Sequence, residues 1–279
     1  MSRGWTHLSG LALASALLLS PGCEERVEKS AAGMLASVPA RRALQDQYLK
    51  ELRRVARGCR GSLGRRVASC QAYRAFYRTH RPLFDNYKPG ATADAARLRA
   101  LMQAGQTLLR SSAEHEQSVG AVVLGRGLYA MAWARAPGRA PFRRALSDTY
   151  RRTGNGALRY LTLDILCDDG GTSDFHGDAA LAELILRAAG TDPDARVRSE
   201  ALTCIQYKVH RVRAPTAAEL RRWFAMERSV RGNQQAIIEI AARLKRVRLV
   251  ADLCARYKEQ HGRPTSTCTA VLSALGVPR

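Results

Sequence analysis

The chain has 279 residues, with 45 Lys and Arg against 24 Asp and Glu, for a formal net charge of +21. That length suits one extended domain or two small ones, and abundant Ala, Leu and Arg with only 6% aromatic residues favours helices. A balance this basic points to polyanionic neighbours, and the export signal read from the first residues sets nucleic acid aside as the default among them.

Arg3 and the free amine form a short positive region, and Leu8 to Leu19 an apolar one. A helix rises about 1.5 Å per residue, so this run is too short for a hydrocarbon core of about 30 Å and reads as a cleavable export signal. The next apolar run, Gly120 to Ala134, is also short and contains Arg126. The segment Leu17-Leu18-Leu19-Ser20-Pro21-Gly22-Cys23 resembles the lipobox of bacterial lipoproteins. The resemblance implies a signal peptide over 1–22 and acylation of the Cys23 thiol. Ser20 and Pro21 depart from it, since the family pattern has Leu and a small residue there. The alternative is an ordinary secretory signal, with Cys23 a plain thiol. Residues 23–38 are small, polar and Ala-rich and read as a flexible lipidated tether.

Setting Cys23 apart leaves six cysteines, an even number that in an exported chain suggests disulfides. Cys59 and Cys70 flank a turn between two helical stretches. Cys254 and Cys268 lie on consecutive expected helices. Cys167 and Cys204 lie near the ends of equivalent helices in adjacent repeats. The alternative is free buried thiols acting as small apolar groups.

Residues 39–90 read as a basic helical hairpin. Leu44, Tyr48, Leu52 and Val55 form one stripe of a helix over Ala43 to Arg57. A second helix is expected from about Arg65 to Thr79, with Tyr73, Phe76 and Tyr77 as core anchors and Pro82 ending it. Arg41 to Arg81 holds 12 Lys and Arg against Asp46 and Glu51, a local charge of +10. Within it Arg53, Arg54, Arg57, Arg60, Arg65 and Arg66 are candidates for contact with anionic lipid or cell-wall polymer. A solvated helix face is the plainer account. Lys88-Pro89-Gly90 marks a boundary.

From residue 91 to 279 the chain repeats. Leu158, Leu163 and Leu166 align with Val197, Leu202 and Ile205 at an offset of 39, and Phe142 aligns with Leu181. A period near 40 with two helices per unit is the pattern of an α-solenoid. The segment Thr191-Asp192-Pro193-Asp194-Ala195-Arg196-Val197-Arg198-Ser199-Glu200-Ala201-Leu202 resembles the inter-helix signature of HEAT repeats. It implies an all-α, right-handed solenoid of helical hairpins with a period of about 39. Asp192 is expected to cap the second helix, with Pro193 at its first position. Arg198 is expected to bond an acid in its own or an adjacent turn and so hold the repeats in register. Gly154-Asn155-Gly156 and Arg231-Gly232-Asn233 replace the Asp-Pro turn in the neighbouring units.

The chain has no nucleophile elbow, Walker loop, dinucleotide fingerprint or zinc-protease helix motif. One acidic segment departs from the background, with Asp168, Asp169, Asp174, His176 and Asp178 within Cys167 to Asp178. Asp oxygens at that density suit Ca²⁺, and Asp with His suits Zn²⁺. The alternative is an inter-repeat insertion in which Asp178 caps the next helix. The resulting expectation is a non-catalytic envelope lipoprotein that binds a protein partner through its repeats and needs no cofactor. The alternatives are a surface module for anionic polymer or lipid and, third, a metal-dependent enzyme on the acidic loop.

Overall fold

The computed structural model describes residues 38–88, 91–168 and 178–274. The export signal, Cys23 and nearly all of the tether lie outside the described residues, as do Asp169, Asp174 and His176 of the acidic segment. Among the described residues there are twelve α-helices and no strand. They are α1 (Val38–Gly58), α2 (Gln71–Asp85), α3 (Thr92–Leu108), α4 (Glu114–Trp133), α5 (Ala140–Arg152), α6 (Gly156–Asp168), α7 (Ala179–Thr191), α8 (Ala195–Tyr207), α9 (Ala217–Met226), α10 (Arg231–Arg243), α11 (Val247–His261) and α12 (Ser266–Ala274).

From α3 onward the helices pair as consecutive hairpins, α3 with α4 through α11 with α12. The second helices stack in one unbroken row, α4 on α6, α6 on α8, α8 on α10 and α10 on α12. Each hairpin thus buries its apolar face against its neighbours, as a helical repeat requires. The period is visible in the helix starts: Ala140 and Ala179, and Gly156 and Ala195, are each 39 residues apart. α1 packs on α3 and α4, and α2 on α4. A single buried cluster therefore runs from Tyr48 to Cys268. The hairpin α3–α4 is especially close, because a Cβ at Gly120 would lie 2.5 Å from the Gly105 carbonyl oxygen. Local signals set the ends. Thr216 and Glu219 form a reciprocal capping box on α9, and Gly262 takes the left-handed conformation (φ 75°) that stops α11.

Three local expectations are corrected. The second helix does not begin at Arg65. Residues Gly64–Ser69 form a 3₁₀ turn, and α2 starts only after Cys70, which is bridged to Cys59. Pro82 does not end α2, which continues to Asp85. Near a helix end proline costs one bond to the preceding turn, and its carbonyl still accepts from Asn86 at 3.2 Å. Asp192 does not cap α8. It is the residue that closes α7, and Asp194 takes the capping role by accepting from the Arg196 amide at 2.9 Å.

The reason Asp192 is diverted is a ladder of arginines, Arg159 and Arg198, whose side chains are each only 12% exposed. Arg159, in the first turn of α6, donates through Nε to Asp192 Oδ2 at 2.9 Å and through Nη1 to the carbonyls of Thr153 and Gly154 at 3.2 and 2.9 Å. Arg198, 39 residues later in α8, repeats the arrangement. Its Nη1 donates to the carbonyls of Asp192 and Pro193 at 2.8 and 3.1 Å, while its Nε and Nη2 hold the Glu227 carboxylate. Asp192 and Glu227 are the closing residues of α7 and α9 respectively. A carboxylate there opposes the helix dipole, and the guanidinium of the preceding repeat neutralises it. One period beyond Arg198 stands Ile237. The buried Gln234 takes over there, donating to Gln260 Oε1 and to the Phe224 carbonyl and accepting from His261.

The three pairs suggested by cysteine spacing are the three that the fold brings together. Cys59–Cys70, Cys167–Cys204 and Cys254–Cys268 have Cα separations of 5.8, 5.6 and 5.7 Å, normal for disulfides. Cys167–Cys204 links neighbouring repeats across α6 and α8 and closes the longest loop, with a sequence separation of 37 against 11 and 14. Loop-closure entropy then predicts that replacing Cys167 and Cys204 by Ala costs about 4 kcal/mol, against about 3 kcal/mol for Cys59 and Cys70. Denaturant unfolding of the two double variants checks the order, and equal or reversed losses would contradict it.

Candidate functional surface

The stacked row of second helices leaves one face open on α6, α8 and α10. On α6, Tyr160, Asp164 and Asp168 stand at i, i+4 and i+8, so they share one stripe while Leu158, Leu161, Leu163, Ile165 and Leu166 are buried. On α8 the stripe carries Glu200, Thr203 and Tyr207, and on α10 Glu239 and Arg243. Four carboxylates, Asp164, Asp168, Glu200 and Glu239, therefore lie along one face of a strongly basic protein.

The 3₁₀ turn from the N-terminal region packs on α4 and α6 and brings Arg65 to this face. Arg65 Nε donates to Asp164 Oδ2 at 3.0 Å, and its Nη2 also bonds Asp164 and lies 3.8 Å from Glu200 Oε2. Its guanidinium covers the Tyr160 ring at 4.5 Å from the centroid. Burial is the largest single influence and would lower the Arg65 guanidinium, but the hydrogen bond to Asp164 and the charges of Asp164, Tyr160 and Glu200 together raise it. Glu200 behaves differently. Burial is the largest influence and pushes its carboxyl above the ordinary 4.5. Asp164 and Asp168 push it the same way, while Arg65 and Tyr160 oppose them. Further along, the Gln206 amide holds Glu239, and Arg243 lies over Tyr207 at 5.0 Å.

The sequence-derived candidates are distributed as follows. Arg53, Arg54, Arg57, Arg60 and Arg66 are exposed and pair with no carboxylate among the described residues. Arg65, taken with them in sequence, is instead tied to Asp164. Asp168 is exposed at the end of α6, and Asp178 caps α7 by accepting from the Leu181 amide at 2.9 Å. Among the described residues no three His, Cys, Asp or Glu side chains are grouped as metal ligands would be. The acidic face and the Arg159 rung were both missed. The offset of 39 that aligns Leu158 with Val197 also aligns Arg159 with Arg198, so the rung was readable. The same offset aligns Glu200 with Glu239, so that part of the acidic face was readable too; Asp164 carries no such signal, because Thr203 stands one period on.

In comparisons with known proteins, no family model matches the chain, and neither a curated protein nor a solved structure matches it.

A folded-state pKa above the ordinary value means the folded protein holds the proton more tightly. The contribution of Glu200 to stability is therefore full below 4.5 and is lost as pH rises through the raised value. Glu200→Gln is expected to change stability little near about pH 4 and to increase it near about pH 8. Urea unfolding at the two pH values measures this, and a variant less stable than the parent at the higher pH would contradict it.

Proposed function

We propose that this chain is an exported, non-catalytic scaffold of the bacterial envelope, anchored through a lipid on Cys23, and that the open face of α6, α8 and α10 holds a protein partner carrying basic residues. The observation that carries the reading is the row of Asp164, Asp168, Glu200 and Glu239 on one face of a chain with a net charge of +21. Stacked hairpins supply extended binding surfaces of this kind, and acidic side chains there favour a partner of opposite potential. The three disulfides fit an oxidising, exported setting. Among the described residues no helix is long and apolar enough to cross a membrane, and the lipobox resemblance at Cys23 supports attachment by a lipid. The rung made by Arg198 agrees with the HEAT resemblance of its turn.

A second reading rests on a separate observation. Arg53, Arg54, Arg57, Arg60 and Arg66 are exposed and unpaired by carboxylates among the described residues, and α1, which carries the first three, directly follows the tether. Basic residues near an anionic surface contribute about 1 kcal/mol each, so this region would engage anionic lipid or cell-wall polymer beside the anchor.

A photo-crosslinking residue at Thr203, on the acidic face, or at Arg57, on α1, separates the two readings in intact cells. Thr203 is expected to give a discrete protein adduct that Asp164→Asn with Glu239→Gln reduces several-fold. Adducts at Arg57 alone, to lipid or polymer, would contradict the scaffold reading.

A further inference from the structure

α4 ends in two exposed aromatic side chains. Trp133 is 78% exposed and Tyr129 48%, and their rings stack with centroids 6.5 Å apart and planes 18° from parallel. Leaving a tryptophan this open is unusual, because aromatic rings bury more apolar area than any other side chain. The pair lines a cleft of about 310 Å³, whose other walls are Phe84, Asp85, Tyr87, Arg126 and Ala130. That volume is at the lower end of small-ligand sites, which combine apolar walls with a few fixed polar groups.

The polar groups are held in place. Asp85 accepts from the Tyr77 hydroxyl at 2.7 Å and from Arg81 Nε at 2.7 Å, and those bonds, Arg81 first, keep its carboxyl below the ordinary carboxylate value. Arg126 lies over the Tyr77 ring at 5.1 Å, and Tyr77 in turn stacks on Phe84 at 5.7 Å. The cleft thus presents exposed aromatic faces beside one carboxylate and one guanidinium, both planar and both oriented by neighbours. A lipid tail would displace water from Asp85 and Arg126 and offer neither a hydrogen bond in return. A bare anion would gain nothing from the rings and would meet Asp85. A sugar ring matches both parts, since its C–H face lies flat on an aromatic ring while vicinal hydroxyls bond carboxylate and guanidinium. Ligands of this kind are abundant in the cell envelope, the setting proposed above for a chain whose three disulfides fit an oxidising, exported environment.

We propose that the cleft between α2 and the end of α4 binds a pyranose ring of an envelope glycan, stacked on Tyr129 and Trp133 with its hydroxyls bonded by Asp85 and Arg126. This site is separate from the acidic face of α6, α8 and α10; it rests on the export part of the proposed function and not on the partner read for that face.

Tryptophan emission tests it directly. Beyond Trp5 the chain has two tryptophans, the exposed Trp133 and the buried Trp223, which is 1% exposed. The full chain is titrated with the tetramer of N-acetylglucosamine, with maltotetraose and with phosphatidylglycerol vesicles. At least one tetramer is expected to change the emission saturably. Trp133→Phe should abolish the change while leaving the Trp223 signal as an internal check on folding. Asp85→Asn should weaken binding about tenfold or more, the loss expected for a hydrogen bond to a charged group. No saturable change with either tetramer would overturn the proposal. So would a response to vesicles alone, which would make the aromatic pair an interfacial anchor. Protection of Trp133 from acrylamide in the free chain would also overturn it, because the cleft would then be covered by the chain itself.

Discussion

The pair formed by Arg198 and Glu227 is the constraint on which the arrangement of the repeats depends. Glu227 is fully buried, and the Arg198 side chain is nearly so. Carboxylate desolvation is costly unless the charge is paired and its remaining lone pairs are bonded. Arg198 meets that requirement with a forked contact that only a guanidinium provides. Its remaining donors close the carbonyls at the end of α7. One side chain therefore binds the turn of its own hairpin to the end of the next one. Arg159 does the same with Asp192, so the two rungs set the positions of α7 and α9 against α6 and α8.

This arrangement explains which parts of the fold were legible in sequence. The apolar period of 39 and the turn at Asp192 gave the hairpins, and cysteine spacing gave the three bridges. The partner of Arg198 was not legible, because the residue one period after Asp192 is Arg231. α9 has 10 residues where α7 has 13, so its closing residue comes earlier in the chain, and that residue is Glu227. Counting by period passes over it, whereas counting from the helix end finds it. The role of Asp192 was misjudged for a related reason. An Asp before a helix usually caps that helix, but here a buried guanidinium from the preceding repeat competes for the same carboxylate and wins it.

The surfaces were less legible than the core. Arginines between Arg41 and Arg81 look equivalent in a charge count, yet Arg65 folds back onto Asp164 and Tyr160 while Arg53, Arg54, Arg57, Arg60 and Arg66 face solvent. Arg65 and Arg66 share the 3₁₀ turn that packs on α4 and α6, yet only Arg65 reaches the open face of α6, a difference that no local pattern encodes. Likewise Tyr129 and Trp133 sit in an apolar run whose other members are mostly buried. Which members of that run stay open is decided by tertiary packing and not by the run itself. The result is a repeat body with chemically distinct faces: acidic on α6, α8 and α10, basic along α1, and aromatic at the end of α4.

A double-mutant cycle on Arg198 and Glu227, read by urea unfolding, tests most directly whether buried ion pairs hold the repeats together. Arg198→Ala alone strands a buried carboxylate and is predicted to cost about 3–5 kcal/mol. Combining it with Glu227→Gln should recover part of that loss, giving a coupling energy above about 1.5 kcal/mol. A single-variant loss below about 1 kcal/mol, with coupling indistinguishable from zero, is the size of an exposed surface pair and would contradict the account.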